Sequence, residues 1–254
     1  MAFVVYSYAG FGDHCSCYAI FKEFSKTHDK IIARSDFMSE TAFNNTKRLY
    51  ASLPNVELDR EPATHGDTFN YMIAYPRYWF DSLSPWLNDP NLPLTKEIEN
   101  NIEQWYFDYI WYKDAGIPFN LMWDNFYIER NLQKEKEIYY DVLGLKDNEE
   151  FVFFHEDPAR KMGERNFACN KDWIINKNIK IIELFKLNDI SLIDLTYTIE
   201  KSQEIHTFNS GVAIFIDLMK IKNTNLYYHH YARPSIFWRP TLKLPWTTIK
   251  NENK

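Results

Sequence analysis

The sequence contains no apolar run that approaches the ~20 residues of a membrane-spanning helix. Its first residues also lack the basic flank and the small-residue cleavage site of a signal peptide. Basic residues do not outnumber acidic ones, since 29 Lys and Arg stand against 35 Asp and Glu, a net charge of −6. A broad nucleic-acid surface needs a basic face. We therefore expect a soluble, cytoplasmic protein with no membrane span and no nucleic-acid partner.

Cysteine is scarce, with Cys15, Cys17 and Cys169 the three in the chain. An odd number without the paired spacing of a zinc site predicts reduced, buried thiols and no metal. Two phosphate-binding signatures are also missing. The turn at Gly10 and Gly12 lacks the third glycine of GxGxxG, and no GK[ST] follows it, so neither a dinucleotide fingerprint nor a P-loop is present.

Residues 2–36 predict a βαβ unit. The runs AFVVYSY and KIIARSD are typical of buried strands, and CSCYAIFKEFSK between them has aromatic and apolar residues at helical spacing. Gly10 and Gly12 permit a tight turn before the helix. A right-handed crossover places ligands at the carboxyl ends of the strands. Chemistry is therefore expected at Asp13 and His14, which follow the first strand.

The second half of the chain repeats this α/β pattern. Four runs predict strands (EFVFFH, NIKIIELF, EIHTFN, NLYYHH), two predict helices (SLIDLTYTIEKSQ, SGVAIFIDLMKIK), and the tail FWRPTLKLPWTTIK is expected to be irregular. A charged helix and a polar turn favour a boundary near 145–150. We expect an α/β fold of two Rossmann-like halves that face a cleft, residues 1–147 and 148–254, with the tail packing back on the first half.

Residues 62–94 interrupt the pattern with prolines, Asn-Asp-Pro and Asn-Leu-Pro turns and many aromatic side chains. Loop-rich regions of this size are more often functional than decorative. Tyr78 and Trp79 are our candidates there for a pocket or an acceptor contact. The long helix that follows is expected to close at Gly116, with Pro118 just beyond it.

The first candidate cluster is Gly10, Gly12, Asp13 and His14. A glycine turn at a helix N-terminus presents backbone N–H groups to an anion or polar ligand. Asp13 would serve as a general base if burial raised its pKa, or it would simply cap the helix. His14 would share that work or only satisfy a backbone carbonyl.

The second cluster follows the strand EFVFFH and contains His155, Arg160 and Lys161. The two cations could supply the positive charge that a diphosphate needs, with Arg able to make bidentate contacts. The spacing is too tight for a shared metal centre, and a solvated loop is the alternative.

The third cluster lies where EIHTFN ends and the next helix begins, with Glu204, His206, Asn209 and Ser210. Asn209 or Ser210 would cap that helix or help to bind a phosphate at its N-terminus, and a carboxylate could bind ribose hydroxyls. A fourth cluster, Tyr228, His229, His230, Tyr231, Ala232 and Arg233 in YYHHYAR, would close a pocket or merely end a strand.

Several segments in order along the chain resemble the GT-B glycosyltransferases: GFGDHCSCYAIFKEFSK, LPNVEL, AGIPF, FVFFHEDPAR, EIHTFNSGVAIFIDLM and YYHHYAR. Within that group, the chain resembles the small glycosyltransferases of bacteria and large DNA viruses that are distantly similar to heptosyltransferases and α-1,6-fucosyltransferases. The resemblance implies a GT-B-like fold whose first half holds the acceptor and whose second half holds the nucleotide sugar.

The same resemblance implies that Asp13, with His14 beside it, deprotonates the acceptor hydroxyl in an inverting reaction. The implied donor contacts are Gly10, Gly12, His155, Arg160, Lys161, Glu204, His206, Asn209 and Ser210, with weaker pocket or acceptor contacts at Tyr78, Trp79 and Arg233. Basic side chains and a helix N-terminus would stabilise the leaving nucleoside diphosphate without a metal.

The leading hypothesis is thus a glycosyltransferase that moves a hexose or deoxyhexose from a GDP-, UDP- or dTDP-linked donor to a glycan hydroxyl. It needs no cofactor, because the nucleotide sugar is a co-substrate. Two alternatives remain: a non-catalytic carbohydrate- or nucleotide-binding protein of the same fold, and a metal-dependent phosphoester hydrolase that uses Asp13 and the histidines.

Overall fold

The computed structural model describes residues 2–7, 10–35, 39–60, 71–73, 107–162, 165–175, 178–187, 189–222, 225–233 and 240–251. The chain forms two compact units. The first comprises Met1–Glu129 with Ser235–Thr241, and the second comprises Arg130–Pro234 with Leu242–Lys254. Within the described ranges, no helix is both long enough and apolar enough to cross a membrane.

The first unit is built on a parallel sheet. Its elements are β1 (Phe3–Ser7), α1 (Phe11–Phe24), β2 (Ile31–Arg34), α2 (Glu40–Tyr50), β3 (Val56–Asp59), β4 (Tyr71–Ile73), α3 (Phe107–Asp114) and α4 (Leu121–Asp124). The strand order is β3-β2-β1-β4, and each pair is parallel. The predicted βαβ unit is therefore present, whereas β4 lies inside the stretch that we expected to be loop.

Local sequence explains where the helices of this unit begin and end. At α1, the N–H of Gly10 donates to the Asp13 carboxylate at 2.9 Å. At α2, the Ser39 hydroxyl accepts the Ala42 N–H at 3.2 Å, as an N-cap serine does. Helix α3 is followed by Gly116, whose φ of 67° is the left-handed conformation of a helix C-terminus.

The second unit is also built on a parallel sheet. Its elements are α5 (Leu132–Glu137), which continues as a π-helical turn (Ile138–Val142), then β5 (Phe151–Phe154), β6 (Asp157–Met162), β7 (Arg165–Phe167), β8 (Lys180–Glu183), α6 (Thr196–Lys201), β9 (Glu204–Thr207), α7 (Gly211–Leu218), β10 (Asn225–His229) and β11 (Thr247–Ile249). The strand order is β11-β10-β9-β5-β8, and all of these pairs are parallel.

A β-hairpin lies between β5 and β8. The antiparallel pair β6–β7 follows β5, and one 3₁₀ turn, Lys171–Trp173, comes before β8. Side chains from this segment pack on Val152 and Phe154 of β5 in one buried apolar cluster. For HEDPARK the sequence left a solvated charged loop open as the alternative to a diphosphate contact. The structure has the strand β6 there, with an irregular register between Asp157 and Lys161.

The sequence predicted an irregular tail. Within its described residues, 240–251, the structure adds one short edge strand, β11, beside β10. Asp217 of α7 is 1% exposed and holds the segment that leads to this strand. Its carboxylate accepts N–H groups from Lys243 (3.0 Å), Leu244 (2.9 Å) and the Trp246 indole (2.9 Å). Three donors that converge on one buried carboxylate fix a tail that carries little periodicity of its own.

The predicted boundary at 147/148 falls inside the second unit, which begins at Arg130. Arg130 binds both Glu135 of α5 and Glu200 of α6, and Glu135 also accepts the Tyr197 N–H at 2.9 Å. The tail contributes Thr241 to the first unit, where its N–H and hydroxyl bind the buried Asp108 carboxylate at 2.7 and 3.0 Å. Acceptor and donor roles for the two halves stay predictions.

Candidate functional site

The carboxyl edge of the second sheet gathers several of the predicted residues. Strands β5, β9 and β10 are neighbours and parallel, so the segments that follow them lie at one edge. These segments carry His155, residues 208–210, and residues 230–233. The His155 N–H donates to the His206 carbonyl at 2.8 Å, which extends the pairing of β5 with β9 by one residue.

Arg233 lies against the loop that opens α7. Its Nη1 donates to the Asn209 carbonyl at 3.1 Å, and its guanidinium lies 5.4 Å from the ring centre of Phe167. Phe167 packs on Phe208, with ring centres 5.6 Å apart, and Phe208 stacks on His155 at 4.9 Å. The structure thus brings Arg233, Asn209 and His155 together around two phenylalanine rings.

Ser210 stands at the N-cap of α7 in extended conformation, but its side chain makes no capping hydrogen bond to the helix backbone. Its hydroxyl lies 3.4 Å from the Thr207 hydroxyl instead. The first-turn N–H groups of a helix have no partner within the helix and carry partial positive charge. Asn209 and Ser210 therefore place the N-terminal end of α7 beside the Arg233 guanidinium.

His155 is partly buried, and its Nδ1 is shielded from solvent with no hydrogen-bond partner among the described residues. Burial lowers the pKa of His155 to about 3, because the charged imidazolium is disfavoured away from water. The ring is therefore neutral near pH 7. It could exchange a hydrogen bond with a ligand, but it would contribute no positive charge.

Other predicted donor and pocket residues are placed only in part. The backbones of Arg160 and Lys161 belong to β6, and their side chains lie outside the described part of the chain. Tyr78 and Trp79 also lie outside the described residues. Glu156, before β6, is 8% exposed and accepts the Cys169 N–H at 3.1 Å.

Glu204 and His206 do not reach the edge that carries Arg233. Glu204 is the first residue of β9, at the opposite end of the strand, and His206 is fully buried. His206 Nε2 donates to the Glu204 carboxylate at 3.1 Å, which also accepts the Ile175 N–H at 3.2 Å. We predicted that both line a nucleotide pocket; the structure places them inside the sheet, because their side chains satisfy each other there.

This buried pair continues toward the edge through His229 and Tyr231, of the fourth candidate cluster, and through Asn170, which the sequence analysis did not select. His206 Nδ1 is hydrogen-bonded to His229 Nε2 at 2.9 Å, and His229 Nδ1 to the Tyr231 hydroxyl at 3.0 Å. Tyr231 in turn accepts the Asn170 N–H at 2.5 Å. A signal for the inward position of Glu204 and His206 was available in the sequence. The two residues are two positions apart on one strand, so their side chains share a face and can bond each other.

The first candidate cluster lies where α1 begins after β1. Asp13 accepts the Gly10 N–H, so the capping role that the sequence left open is present. Gly12 is buried in the first turn of α1. His14 is fully buried and its Nδ1 is hydrogen-bonded to the Tyr50 hydroxyl at 2.7 Å. Burial lowers the pKa of His14 to about 3, so His14 is a neutral core residue rather than a surface partner for Asp13.

The described residues hold no cluster of three or more His, Cys, Asp or Glu side chains suited to a metal ion.

Comparison with known proteins shows the fold. No protein-family model matches the sequence, and no curated protein matches it. The chain is similar to a solved glycosyl transferase family 9 structure from Veillonella parvula DSM 2008, with a TM-score of 0.50 and 10% identity. The alignment covers 97% of this chain and 86% of that one. The likeness is one of fold. It confirms the predicted α/β class of GT-B-like type, with parallel sheets.

Proposed function

We propose that this protein is a glycosyltransferase that uses a nucleotide-diphosphate sugar and needs no metal. The observation that carries the proposal is the position of Arg233, whose guanidinium binds the Asn209 carbonyl at the start of α7. A cation and a helix N-terminus at the carboxyl edge of a parallel sheet are suited to a diphosphate. The fold likeness to a solved glycosyl transferase, which extends over 97% of the chain, also supports this proposal.

The donor diphosphate would be held by the second unit. The Arg233 guanidinium lies 5.4 Å from the centre of the Phe167 ring, and its planar group of N–H donors is suited to bidentate binding of phosphate oxygens. The α7 N–H groups would bind a second phosphate oxygen, and neutral His155 would accept or donate one further hydrogen bond. Arg160 and Lys161 remain sequence-based candidates for additional charge. Together these groups would stabilise the negative charge that develops on the leaving nucleoside diphosphate.

Acceptor activation is assigned to Asp13. In the proposed inverting step, the acceptor hydroxyl gives its proton to the Asp13 carboxylate while its oxygen forms the bond to the anomeric carbon. The bond from that carbon to the diphosphate breaks, and the nucleoside diphosphate leaves with the electron pair. The Gly10 N–H at 2.9 Å fixes the carboxylate orientation. We keep the substrates that the resemblance implies: a hexose or deoxyhexose, a GDP-, UDP- or dTDP-linked donor, and a glycan acceptor.

A thermal-shift panel tests the donor part of this proposal. UDP, GDP, dTDP, ADP and CMP, with their common sugar conjugates, would be added with and without magnesium. We expect one nucleoside diphosphate to raise the melting temperature without magnesium, because a ligand that binds only the native state stabilises it. The shift should be lost in Arg233→Ala and kept in Arg60→Ala, a control arginine of the first unit whose ion pair with Glu40 is solvent-exposed.

A flat panel, or equal shifts in the two arginine variants, would overturn the assignment of Arg233. Turnover of the bound nucleotide sugar then separates the enzyme from the binding protein. Binding without turnover of any conjugate would favour the non-catalytic alternative. Loss of turnover with retained nucleotide binding in Asp13→Asn is expected if Asp13 is the base, and full activity of that variant would remove Asp13 from the mechanism.

A further inference from the structure

We propose that Tyr231 is a positioning residue for Arg233. Its hydroxyl contact with the Asn170 N–H, called the clamp below, joins the segment that carries Phe167 to the turn that carries Arg233. The buried chain His229–His206–Glu204 holds the same hydroxyl from the other side. The inference rests on the proposed function for its consequence, donor binding, but the clamp itself is a property of the second unit. It assigns a role to four buried or half-buried polar residues that would otherwise be costly to keep in a sheet interior.

The anchor is a continuous hydrogen-bonded chain on one face of the sheet. The register aligns His206 of β9 with Tyr227 of β10, so that His229, two residues later, shares their face. Each link is short: 3.1 Å from Glu204 to His206, 2.9 Å from His206 to His229 and 3.0 Å from His229 to Tyr231. The Tyr231 hydroxyl, bonded to His229 Nδ1 at the end of this chain and to the Asn170 N–H, has a defined position at the strand end.

The clamp is the bond between Tyr231 and Asn170. Asn170 follows β7 by three positions, and β7 ends at Phe167, whose ring lies beneath the Arg233 guanidinium. Tyr231 lies two positions before Arg233 in the chain. The Asn170 N–H to Tyr231 hydroxyl contact of 2.5 Å therefore joins the segment that carries the ring to the turn that carries the cation.

The pyrophosphate part of a donor would meet a guanidinium held in one orientation. Among the described residues, Arg233 contacts the Asn209 carbonyl and the Phe167 ring. The first contact belongs to the α7 loop, and the second belongs to the hairpin segment that Tyr231 holds through Asn170. Loss of the clamp should therefore loosen the contact between Arg233 and the Phe167 ring and leave the hydrogen bond to the Asn209 carbonyl in place. The affinity for an anion would then fall although the positive charge of Arg233 remains.

The Arg233 Nε–H signal in ¹⁵N-labelled protein is the direct readout, assigned by its absence in Arg233→Lys. Tyr231→Phe keeps the ring and removes the hydroxyl. Tyr227→Phe is the matched control, because Tyr227 stacks on His206 at 4.6 Å without a place in the chain. His229→Gln is a second variant, since its amide can reach His206 but not Tyr231.

We expect Tyr231→Phe and His229→Gln to broaden or shift the Arg233 Nε–H signal and to speed hydrogen exchange of the Asn170 amide, while Tyr227→Phe does neither. Inorganic pyrophosphate, used as the probe, should bind these two variants about tenfold more weakly than the control, the effect of roughly one hydrogen bond. An Arg233 signal and an Asn170 amide that match wild type in Tyr231→Phe would overturn the clamp. If no nucleotide changes the Arg233 Nε–H signal of the wild-type protein, the proposed function is refuted. The clamp is tested separately, by the comparison of the variants without nucleotide.

Discussion

At the scale of single residues, two buried carboxylates hold segments that are distant in the sequence. Asp217 accepts backbone and indole N–H groups from the tail, and Asp108 accepts the N–H and hydroxyl of Thr241. Both side chains are almost fully buried. Buried acids are tolerated only where several donors replace the lost water, and here the donors come from segments far away in the sequence.

Replacing Asp217 by Asn should therefore destabilise the protein by about 2–3 kcal/mol, the range for lost hydrogen bonds to a charged group plus donors left unsatisfied. The amide keeps one oxygen but presents an NH₂ group to the N–H donors of the tail. Urea unfolding gives the free energy, and Asp189→Asn, at an exposed site of the same unit, is the control. Equal stabilities of the two variants would contradict the anchoring role of Asp217.

At the scale of elements, backbone geometry decides where helix α3 ends. The helix stops at Asp114, and Gly116 takes up the left-handed conformation with φ of 67°. A Cβ built at this glycine meets no atom within 4 Å, so space is not the constraint there. The constraint is the left-handed conformation itself, which costs L-residues free energy and which Asn and Asp adopt more readily than other residues with a side chain.

Gly116→Ala is expected to lower the free energy of unfolding by about 1 kcal/mol for this reason. Gly116→Asn should lose less, because asparagine visits the left-handed region more readily. Both variants would be compared with wild type in urea, with circular dichroism to confirm native helix content. If Ala and Asn behave alike, or if neither is destabilising, the conformation of Gly116 does not limit stability.

At the scale of the whole molecule, both units contain neutral buried histidines. Burial lowers the pKa of His14 in the first unit, and of His155 and His229 in the second, to about 3. An unfolded histidine titrates near 6.5. Between these two pKa values the unfolded chain binds more protons than the native one. The free energy of unfolding is therefore highest, with respect to these histidines, above about pH 6.5 and decreases as the pH falls toward 3.

Asp108 acts in the opposite direction over a narrower window. Burial raises its pKa from 3.8 to about 6, so the native state binds the extra proton there and loses stability as the pH rises through that range. Three histidines outweigh one aspartate, so net stability should fall from pH 7 to pH 5. Each buried histidine contributes up to about 1.4 kcal/mol per pH unit below pH 6.

Urea unfolding at several pH values between 5 and 7.5 measures this slope. His155→Gln removes one of the three titrating groups and should give a shallower fall toward acid pH than wild type. A stability that is constant or rises as the pH drops to 5 would show that the histidines are accessible to protons in the native state.

The sequence alone determined the α/β class, the βαβ unit of the first half and the strands β5, β8, β9 and β10. These elements follow from local signals, namely apolar runs, glycine turns and capping residues, which act within a few positions. Ser39, Gly116 and the run at Phe151–Phe154 are examples whose local chemistry agrees with the structure.

Only the tertiary structure decided the hairpin β6–β7, the edge strand β11 and the position of each polar side chain in the sheet. The charged HEDPARK segment is extended because it pairs with β7, and the tail is ordered because Asp217 binds it. Glu204 and His206 lie inside the sheet, where they bond each other and where His229 and Ile175, from other segments, complete their hydrogen bonds. Such partners are distant in sequence and become neighbours only when parallel strands fix the register, which no local pattern can specify.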